Sequence, residues 1–299
     1  MVSRTGRRAI VAIALLGLLA ALVVAVGPRQ LRHTAARSWL ILTGGLVDVG
    51  GHRLRIEQTG AGAPTVVFDA GLNQPMETWG AVRSQVAAFT RVVTYNRAGL
   101  GKNPGKSDRA SGPSPRTSEH VVRDLHTLLG KAGVGPPYVL VGHSFGGLNV
   151  RLFASRYPSE VIGLVLVDAA HEDQFLRFAT LKPPEQREKY LRHEKGENVE
   201  GVDLLASGTQ VRTASPLAPM PFVVLTAYPA VDPSDPAGQK LRQAQTEMQE
   251  SLARLVPNGK HIIADNSGHF IQRDRPDLVV AAIRMVVEAA RQQASATRG

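Results

Sequence analysis

The chain contains no cysteine, and this absence removes several kinds of chemistry from consideration. Disulfide scaffolds, thiolate zinc sites, iron–sulfur clusters and cysteine nucleophiles all require that residue. The chain has 29 glycines and 19 prolines among its 299 residues, too few for a low-complexity sequence, and glycine shows no collagen period. With 43% hydrophobic residues, a chain of this length is expected to fold around a sizeable core.

Acidic residues are absent from the first 45 residues, which carry six arginines and more than half of the net charge of +10. The rest of the chain is close to balanced, with 29 basic and 25 acidic groups. A nucleic-acid binder would instead concentrate Lys and Arg on its folded domain, with aromatic stacking partners between them. The charge distribution therefore argues against nucleic acid as a partner.

An uninterrupted apolar run at residues 9–27 lies between these arginines. As a helix it would span about 28 Å, close to the hydrocarbon thickness of a bilayer. The run is longer than the apolar part of most secretory signals, so it predicts an uncleaved membrane anchor, with a cleaved signal peptide as the alternative. We therefore expect residues 1–45 to form an anchor and a basic stalk, with the domain that follows them outside the cytoplasm.

From about residue 46, short apolar runs alternate with helical patterns, which is typical of an α/β domain with a mainly parallel sheet. A hairpin is predicted at residues 47–57, with its turn at Gly50-Gly51. Patterns of apolar residues predict a helix at 239–255 and a last helix that begins at Pro276. Buried strands are predicted at residues 65–69, 92–96, 138–142, 161–168, 222–226 and 261–264.

The most informative motif is Gly142-His143-Ser144-Phe145-Gly146, which follows an apolar strand and precedes a helical pattern. A G-x-S-x-G string alone also fits an ordinary glycine-rich turn. A nucleophile elbow, however, needs a strained turn between a strand and a helix, with small neighbours around an exposed serine hydroxyl. Both flanking elements are present here, so Ser144 is the candidate nucleophile.

With three further motifs, the chain resembles the α/β-hydrolase superfamily over about residues 46–292. Phe68-Asp69-Ala70-Gly71-Leu72 is similar to the family's oxyanion loop, although the usual His-Gly is missing. The segment 95–101 is similar to its D-R-x-G-x-G turn, with Asn96 in place of Asp. Asn266-Ser267-Gly268-His269-Phe270 is similar to its catalytic-histidine loop. The resemblance implies a twisted, mostly parallel sheet flanked by helices, with a helical cap inserted before the penultimate strand.

A serine hydroxyl is a poor nucleophile near neutral pH, so a neutral imidazole must take its proton. The resemblance implies His269 as this base and a packing role for His143. Two positions are open for the acid that pairs with His269 and precedes it in the chain. Asp168 is the favoured position, because it ends a strand, where a partly buried carboxylate needs a partner. Asp232, in the loop after the next strand, has the commoner family location, although Asp232 and Asp235 also suit a turn or a helix start.

The family's oxyanion hole consists of backbone N–H groups, and the resemblance implies Leu72 and Phe145 as the residues that supply them. The long segment at about residues 170–219 is expected to form a cap over the substrate pocket, and residues 293–299 a flexible tail. His171-Glu172-Asp173 follows a strand end, where His171 could line the pocket mouth; a metal site at this cluster is the less favoured interpretation.

These features together predict a serine hydrolase that cleaves carboxylic esters through an acyl-enzyme intermediate, with a small-molecule substrate and no cofactor or metal. An amidase similar to proline iminopeptidase, or a lactonase, would use the same three side chains. A non-catalytic ligand-binding member of the fold is the alternative from another class. The sequence names neither the substrate nor the oligomeric state.

Overall fold

The predicted strands assemble into one eight-stranded sheet in the computed structural model, which describes residues 43–101, 106–110 and 114–296. Across the sheet the order is β1-β2-β4-β3-β5-β6-β7-β8; β2 is antiparallel to both of its neighbours, and the other pairs are parallel. The strands are β1 (Thr43–Asp48), β2 (Arg53–Thr59), β3 (Thr65–Asp69), β4 (Val92–Tyr95), β5 (Tyr138–His143), β6 (Val161–Val167), β7 (Phe222–Tyr228) and β8 (Lys260–Asp265).

Helices follow most of the parallel strands, as an α/β fold requires. A 3₁₀ turn at Met76–Trp79 precedes the first of them. The helices within the described ranges are α1 (Gly80–Val86), α2 (Ser118–Lys131), α3 (Phe145–Arg156), α4 (Gln174–Leu181), α5 (Pro184–Glu194), α6 (Leu204–Arg212), α7 (Pro236–Ala253), α8 (Ile271–Asp274) and α9 (Pro276–Ala296).

Apolar side chains form a core on each face of the sheet. Successive strand residues point to opposite faces. In β3, Val67 belongs to the cluster that contains Leu125 of α2, whereas Phe68 belongs to the cluster with Val82 of α1 and Ile283 of α9. Because both faces are covered, the central strands need apolar residues on both faces, which explains their nearly continuous apolar runs.

The observed elements agree closely with the expectations from sequence. The hairpin, the six predicted strands and the last helix all form, with the ends of the six strands within two residues of the prediction. The prediction that all six are buried is wrong for β8, which lies at the edge of the sheet and is largely exposed or half-buried. Helix α7 begins earlier than residue 239 because the Asp235 carboxylate accepts hydrogen bonds from the N–H groups of Ala237 and Gly238 and caps the helix. Helix α9 continues to Ala296, into the range expected to be a tail.

The order of the strands creates a crevice at the carboxyl ends of the central strands. From β3 the chain runs outward to β4 and then returns to place β5 on the other side of β3. The loops that leave β3 and β5 therefore diverge, and in open α/β sheets ligands bind at such a switch point, beyond the carboxyl ends of the strands. These two loops carry the candidate oxyanion residues and the candidate nucleophile.

The sequence predicts a membrane anchor at residues 9–27, and those residues lie outside the described part of the chain. Within residues 43–101, 106–110 and 114–296, no helix has both the length and the apolar character needed to cross a bilayer. This finding contradicts the prediction of a membrane-anchored protein. The placement of the domain outside the cytoplasm depended on the anchor and falls with it.

Candidate active site

Ser144 lies at the junction of β5 and α3 with a strained backbone. Its φ of 52° and ψ of −121° are unusual for a residue that carries a Cβ. The turn is tight, since a Cβ added to Gly142 would lie 2.6 Å from the carbonyl oxygen of Gly146. The expected strand-to-helix elbow is therefore present, and it holds a half-buried serine at the carboxyl end of a central strand.

His269 and Asp168 form a short hydrogen bond, with 2.6 Å between His269 Nδ1 and Asp168 Oδ2. Asp168 is buried just after β6, and its other oxygen accepts a hydrogen bond of 3.1 Å from the N–H of Ala227. The His269 side chain is 47% exposed. Donation from Nδ1 to the carboxylate makes Nε2 the acceptor nitrogen of a neutral imidazole, as a general base requires.

The other candidate acids have local partners instead. Asp232 is exposed, and its Oδ1 accepts hydrogen bonds of 2.8 Å from both the N–H and the hydroxyl of Ser234, which lower the pKa of this carboxyl. Asp235 caps α7. Among the described residues, the carboxylate that the structure brings to His269 is thus the one of Asp168.

His143 has a role that sequence reasoning missed. Its buried Nε2 donates a hydrogen bond of 2.8 Å to the carbonyl oxygen of His269, and the two rings lie 4.6 Å apart. Burial, with a smaller contribution from His269, lowers the pKa of His143 to about 3. A neutral His143 thus fixes the backbone of the loop that carries His269.

The loop after β3 packs directly against the elbow. A Cβ added to Gly71 would lie 2.8 Å from His143 Nδ1 and 3.3 Å from the Cβ of Ser144, so only glycine fits there. Within the described residues, the N–H groups of Leu72 and Phe145 donate to no protein acceptor. Two backbone donors next to the serine are therefore left for a ligand.

A buried charge cluster underlies this loop, and we call Asp69, Arg97 and Glu200 the carboxylate–arginine cluster. Arg97 is 2.5 Å from Asp69 and makes two contacts to Glu200, at 2.8 Å from Nε and 2.7 Å from Nη2. Burial raises the pKa of Asp69; for Arg97, burial acts in the opposite direction, but the two carboxylates outweigh it and hold the pKa above its usual value. No sequence motif marked Glu200, which lies 103 residues from its partner Arg97.

A cavity of about 420 Å³ adjoins the Asp168–His269 pair. Its wall is mostly apolar and comes from α4, α7 and the loop after β7. The guanidinium of Arg242, a polar member of the wall, lies 5.0 Å from the centre of the Tyr228 ring. The apolar lining residues include Phe178, Ala227, Pro229, Val231 and Leu241. The site therefore offers space for an apolar group beside the imidazole.

The two carboxylates of the His171-Glu172-Asp173 cluster are paired with arginines: Glu172 is bound by Arg151 at 2.7 Å, and Asp173 by Arg212. His171 Nδ1 instead accepts a hydrogen bond of 3.1 Å from the N–H of Asp173. In the part of the chain that the structure describes, no three His, Asp or Glu side chains are grouped so that they could hold a metal ion.

Comparison with known proteins identifies the family. The model of the alpha/beta hydrolase family matches residues 60–282, and the chain belongs to this family. The sequence is 31% identical, over 79% of this chain and 88% of the relative, to the uncharacterized protein YqjL of Bacillus subtilis (strain 168). The resemblance inferred from the sequence motifs, and the fold that it implies, are confirmed.

Solved structures show the same fold. A thermophilic esterase from Thermogutta terrifontis matches 83% of this chain and 98% of its own, with a TM-score of 0.57 and 24% identity. A bromoperoxidase from Bacillus anthracis matches 82% and 100%, with a TM-score of 0.59 and 17% identity. Since two such different activities share the fold, the reaction has to be argued from the site.

Proposed function

We propose that this protein is a serine hydrolase of carboxylic esters, with Ser144 as nucleophile, His269 as general base and acid, and Asp168 as the residue that orients the imidazole. The 2.6 Å hydrogen bond between Asp168 and His269 carries the proposal, because it pairs a buried carboxylate with an imidazole whose other nitrogen can accept a proton. The strained elbow at Ser144 supplies the third member.

The proposed reaction proceeds in two halves. Ser144 Oγ attacks the ester carbonyl carbon while its proton passes to His269 Nε2, and Asp168 stabilises the resulting imidazolium. The carbonyl oxygen becomes an oxyanion, for which the N–H groups of Leu72 and Phe145 are the proposed donors. His269 then protonates the departing alkoxide, which leaves an acyl-enzyme. Water, deprotonated by His269, releases the acid and restores the serine.

The apolar cavity beside His269 supports an ester with an apolar acyl or alcohol group. Part of its wall is α4, within the segment between β6 and β7 that also contains α5 and α6. We propose that this segment, about residues 170–219, acts as the cap of the domain at 46–292. A cap of this kind shields the acyl-enzyme from bulk water and shapes the pocket.

The proposal is tested by labelling with a fluorophosphonate probe, followed by assays on p-nitrophenyl esters from acetate to decanoate and on aminoacyl amides. We expect labelling and ester turnover by the wild type. Ser144→Ala should lose labelling and lower turnover by about 10⁴-fold or more, because no other group can form the acyl-enzyme. Ser234→Ala, an exposed serine in a turn, is the matched control and should retain both.

A wild-type protein that neither reacts with the probe nor cleaves any ester would refute the proposal. Turnover of aminoacyl amides in place of esters would keep the three side chains and change the substrate class to an amidase.

A further inference from the structure

The orientation of the Leu72 N–H is set by the hydrogen bonds to the Gly71 carbonyl oxygen, which belongs to the same peptide group. Gly71 O accepts a hydrogen bond of 2.7 Å from Arg97 Nη2 and one of 3.1 Å from the N–H of Gln74. In a planar trans peptide the C=O and the N–H point in opposite directions. By binding Gly71 O, Arg97 therefore directs the N–H of Leu72 away from itself. Two donors on one carbonyl also polarise the peptide and strengthen its N–H as a donor.

The neighbouring peptide groups are held by the same cluster. Ala70 O accepts a hydrogen bond of 2.7 Å from Arg97 Nη1, and the N–H of Asn73 donates to Glu200 Oε1 at 2.5 Å. The groups on both sides of the Leu72 N–H are thus bound, while this N–H itself has no acceptor among the described residues. The loop is fixed with one donor left available.

Arg97 has little freedom to move. Its five N–H groups all have acceptors: two on Glu200, one on Asp69, and the carbonyl oxygens of Ala70 and Gly71. The side chain is 2% exposed, and its guanidinium also lies 5.1 Å from the centre of the Phe145 ring. One guanidinium therefore contacts the carbonyl oxygen of the peptide that carries the Leu72 N–H, on Gly71, and the side chain of Phe145.

Glu200 comes from a distant part of the chain, the loop between α5 and α6. The backbone of this loop is tied to the domain by hydrogen bonds of 2.7 Å from Arg116 N to Gly201 O and from Asp203 N to Arg116 O. The proposed cap segment thus supplies a carboxylate that reaches the loop after β3.

We infer that Arg97 and Glu200 are positioning residues for the oxyanion donors, and that Glu200 makes the oxyanion hole depend on the docking of the inserted segment. The inference rests on the proposed ester hydrolysis. Neither side chain reaches the substrate; both act through the peptide groups of residues 70–73. Since the donors act on the charge that develops in the transition state, their displacement lowers kcat and leaves substrate binding nearly unchanged.

The test compares Glu200→Gln with the wild type on a p-nitrophenyl ester. The variant keeps the shape of the side chain and removes the charge that holds Arg97. We expect kcat to fall by about 10- to 100-fold with KM within about threefold, less than the loss of a whole oxyanion donor, because the N–H remains but is misplaced. Amide hydrogen exchange at Asn73 and Gln74, whose N–H groups donate to Glu200 and to the Gly71 carbonyl oxygen, should become faster, and this readout needs no substrate.

Glu172→Gln is the matched control, because Glu172 is also a largely buried carboxylate bound to an arginine. Its carboxylate is paired with Arg151 and lies near His171, and its carbonyl oxygen accepts from Arg212; none of these residues belongs to the loop after β3. We expect its kcat to stay within about twofold of the wild type. Arg97→Lys is the second variant, since it keeps the charge and loses the fork; its effect on kcat should not add to that of Glu200→Gln.

A folded Glu200→Gln protein with wild-type kcat, or with unchanged exchange at residues 73 and 74, would overturn the inference. If Glu200→Gln does not fold, Arg97→Lys is judged by the same two measurements. A wild type without esterase activity is a different outcome: it refutes the proposed function, and hydrogen exchange alone then decides whether the cluster orders the loop.

Discussion

Two buried aspartates at the same edge of the sheet have opposite surroundings. Asp69, at the end of β3, is bound by the guanidinium of Arg97 and the hydroxyl of Tyr95, all of them buried. Asp168, just after β6, is bound to an imidazole that is nearly half exposed. A guanidinium keeps its charge at every relevant pH, whereas an imidazole titrates near neutrality. The partner, rather than the aspartate, thus decides whether a carboxylate fixes structure or can take the part in proton transfer that we propose for Asp168.

We expect the largest effect, on turnover, when the pair of Asp168 and His269 is broken. Asp168→Asn should lower turnover by about 10⁴-fold, as the corresponding change does in a serine protease, because the amide neither orients nor stabilises the imidazolium. Asp232→Asn serves as the control and should keep turnover within about twofold, since its carboxylate only closes a turn. Steady-state kinetics on one ester measures both. Normal turnover by Asp168→Asn with a loss in Asp232→Asn would reverse the assignment of the acid.

Breaking the pair of Asp69 and Arg97 should instead lower the stability of the fold. Arg97→Met leaves the buried carboxylates of Asp69 and Glu200 without their counter-ion, and we expect the free energy of unfolding to fall by about 3–5 kcal/mol. His269→Ala should change it by less than about 1 kcal/mol, because that side chain is partly exposed. Urea unfolding followed by circular dichroism compares the two variants. Equal losses of unfolding free energy in Arg97→Met and His269→Ala would show that the two pairs do not differ in their contribution to stability.

Near neutral pH the smallest effect concerns His143, which lies beside both regions. Its native pKa is about 3 against 6.5 in the unfolded chain, so below pH 6.5 the unfolded state binds the extra proton. The contribution of His143 to stability is therefore present above pH 6.5 and decreases as the pH falls toward 3, by up to about 1.4 kcal/mol per pH unit.

The matched variant for this pH dependence is His143→Gln, whose amide can still donate to the carbonyl oxygen of His269. We expect the difference in unfolding free energy between the variant and the wild type to change with pH only below 6.5. Urea unfolding at a series of pH values measures it. Parallel curves for the two proteins throughout that window would contradict the burial of a neutral imidazole.

The sequence was sufficient to predict the fold because its signals are local. Runs of apolar residues with glycine-rich ends marked β3 and β5, and the periodic pattern before residue 255 marked α7. The preference for Asp168 over Asp232 followed from a local argument as well, since an acid that ends a buried strand needs a partner. The structure gives it one in His269.

The contacts that organise the site could not be predicted from the sequence. Glu200 stands in a polar loop with no motif around it, and its pairing with Arg97 depends on how the inserted segment packs. The hydrogen bond from His143 to the His269 carbonyl likewise requires the loops after β5 and β8 to meet. Such contacts are set by tertiary structure, for which a residue type at one position carries no signal.

The great sequence separation within the site has a consequence for folding. Asp168 and His269 are 101 residues apart, and the contact between Arg97 and Glu200 spans 103. Contacts of this range form late, because a long loop must close before they contribute free energy. During refolding, helical circular dichroism should therefore recover before ester turnover does, which makes hydrolysis a reporter of the last steps in which the sheet and the segment between β6 and β7 come together.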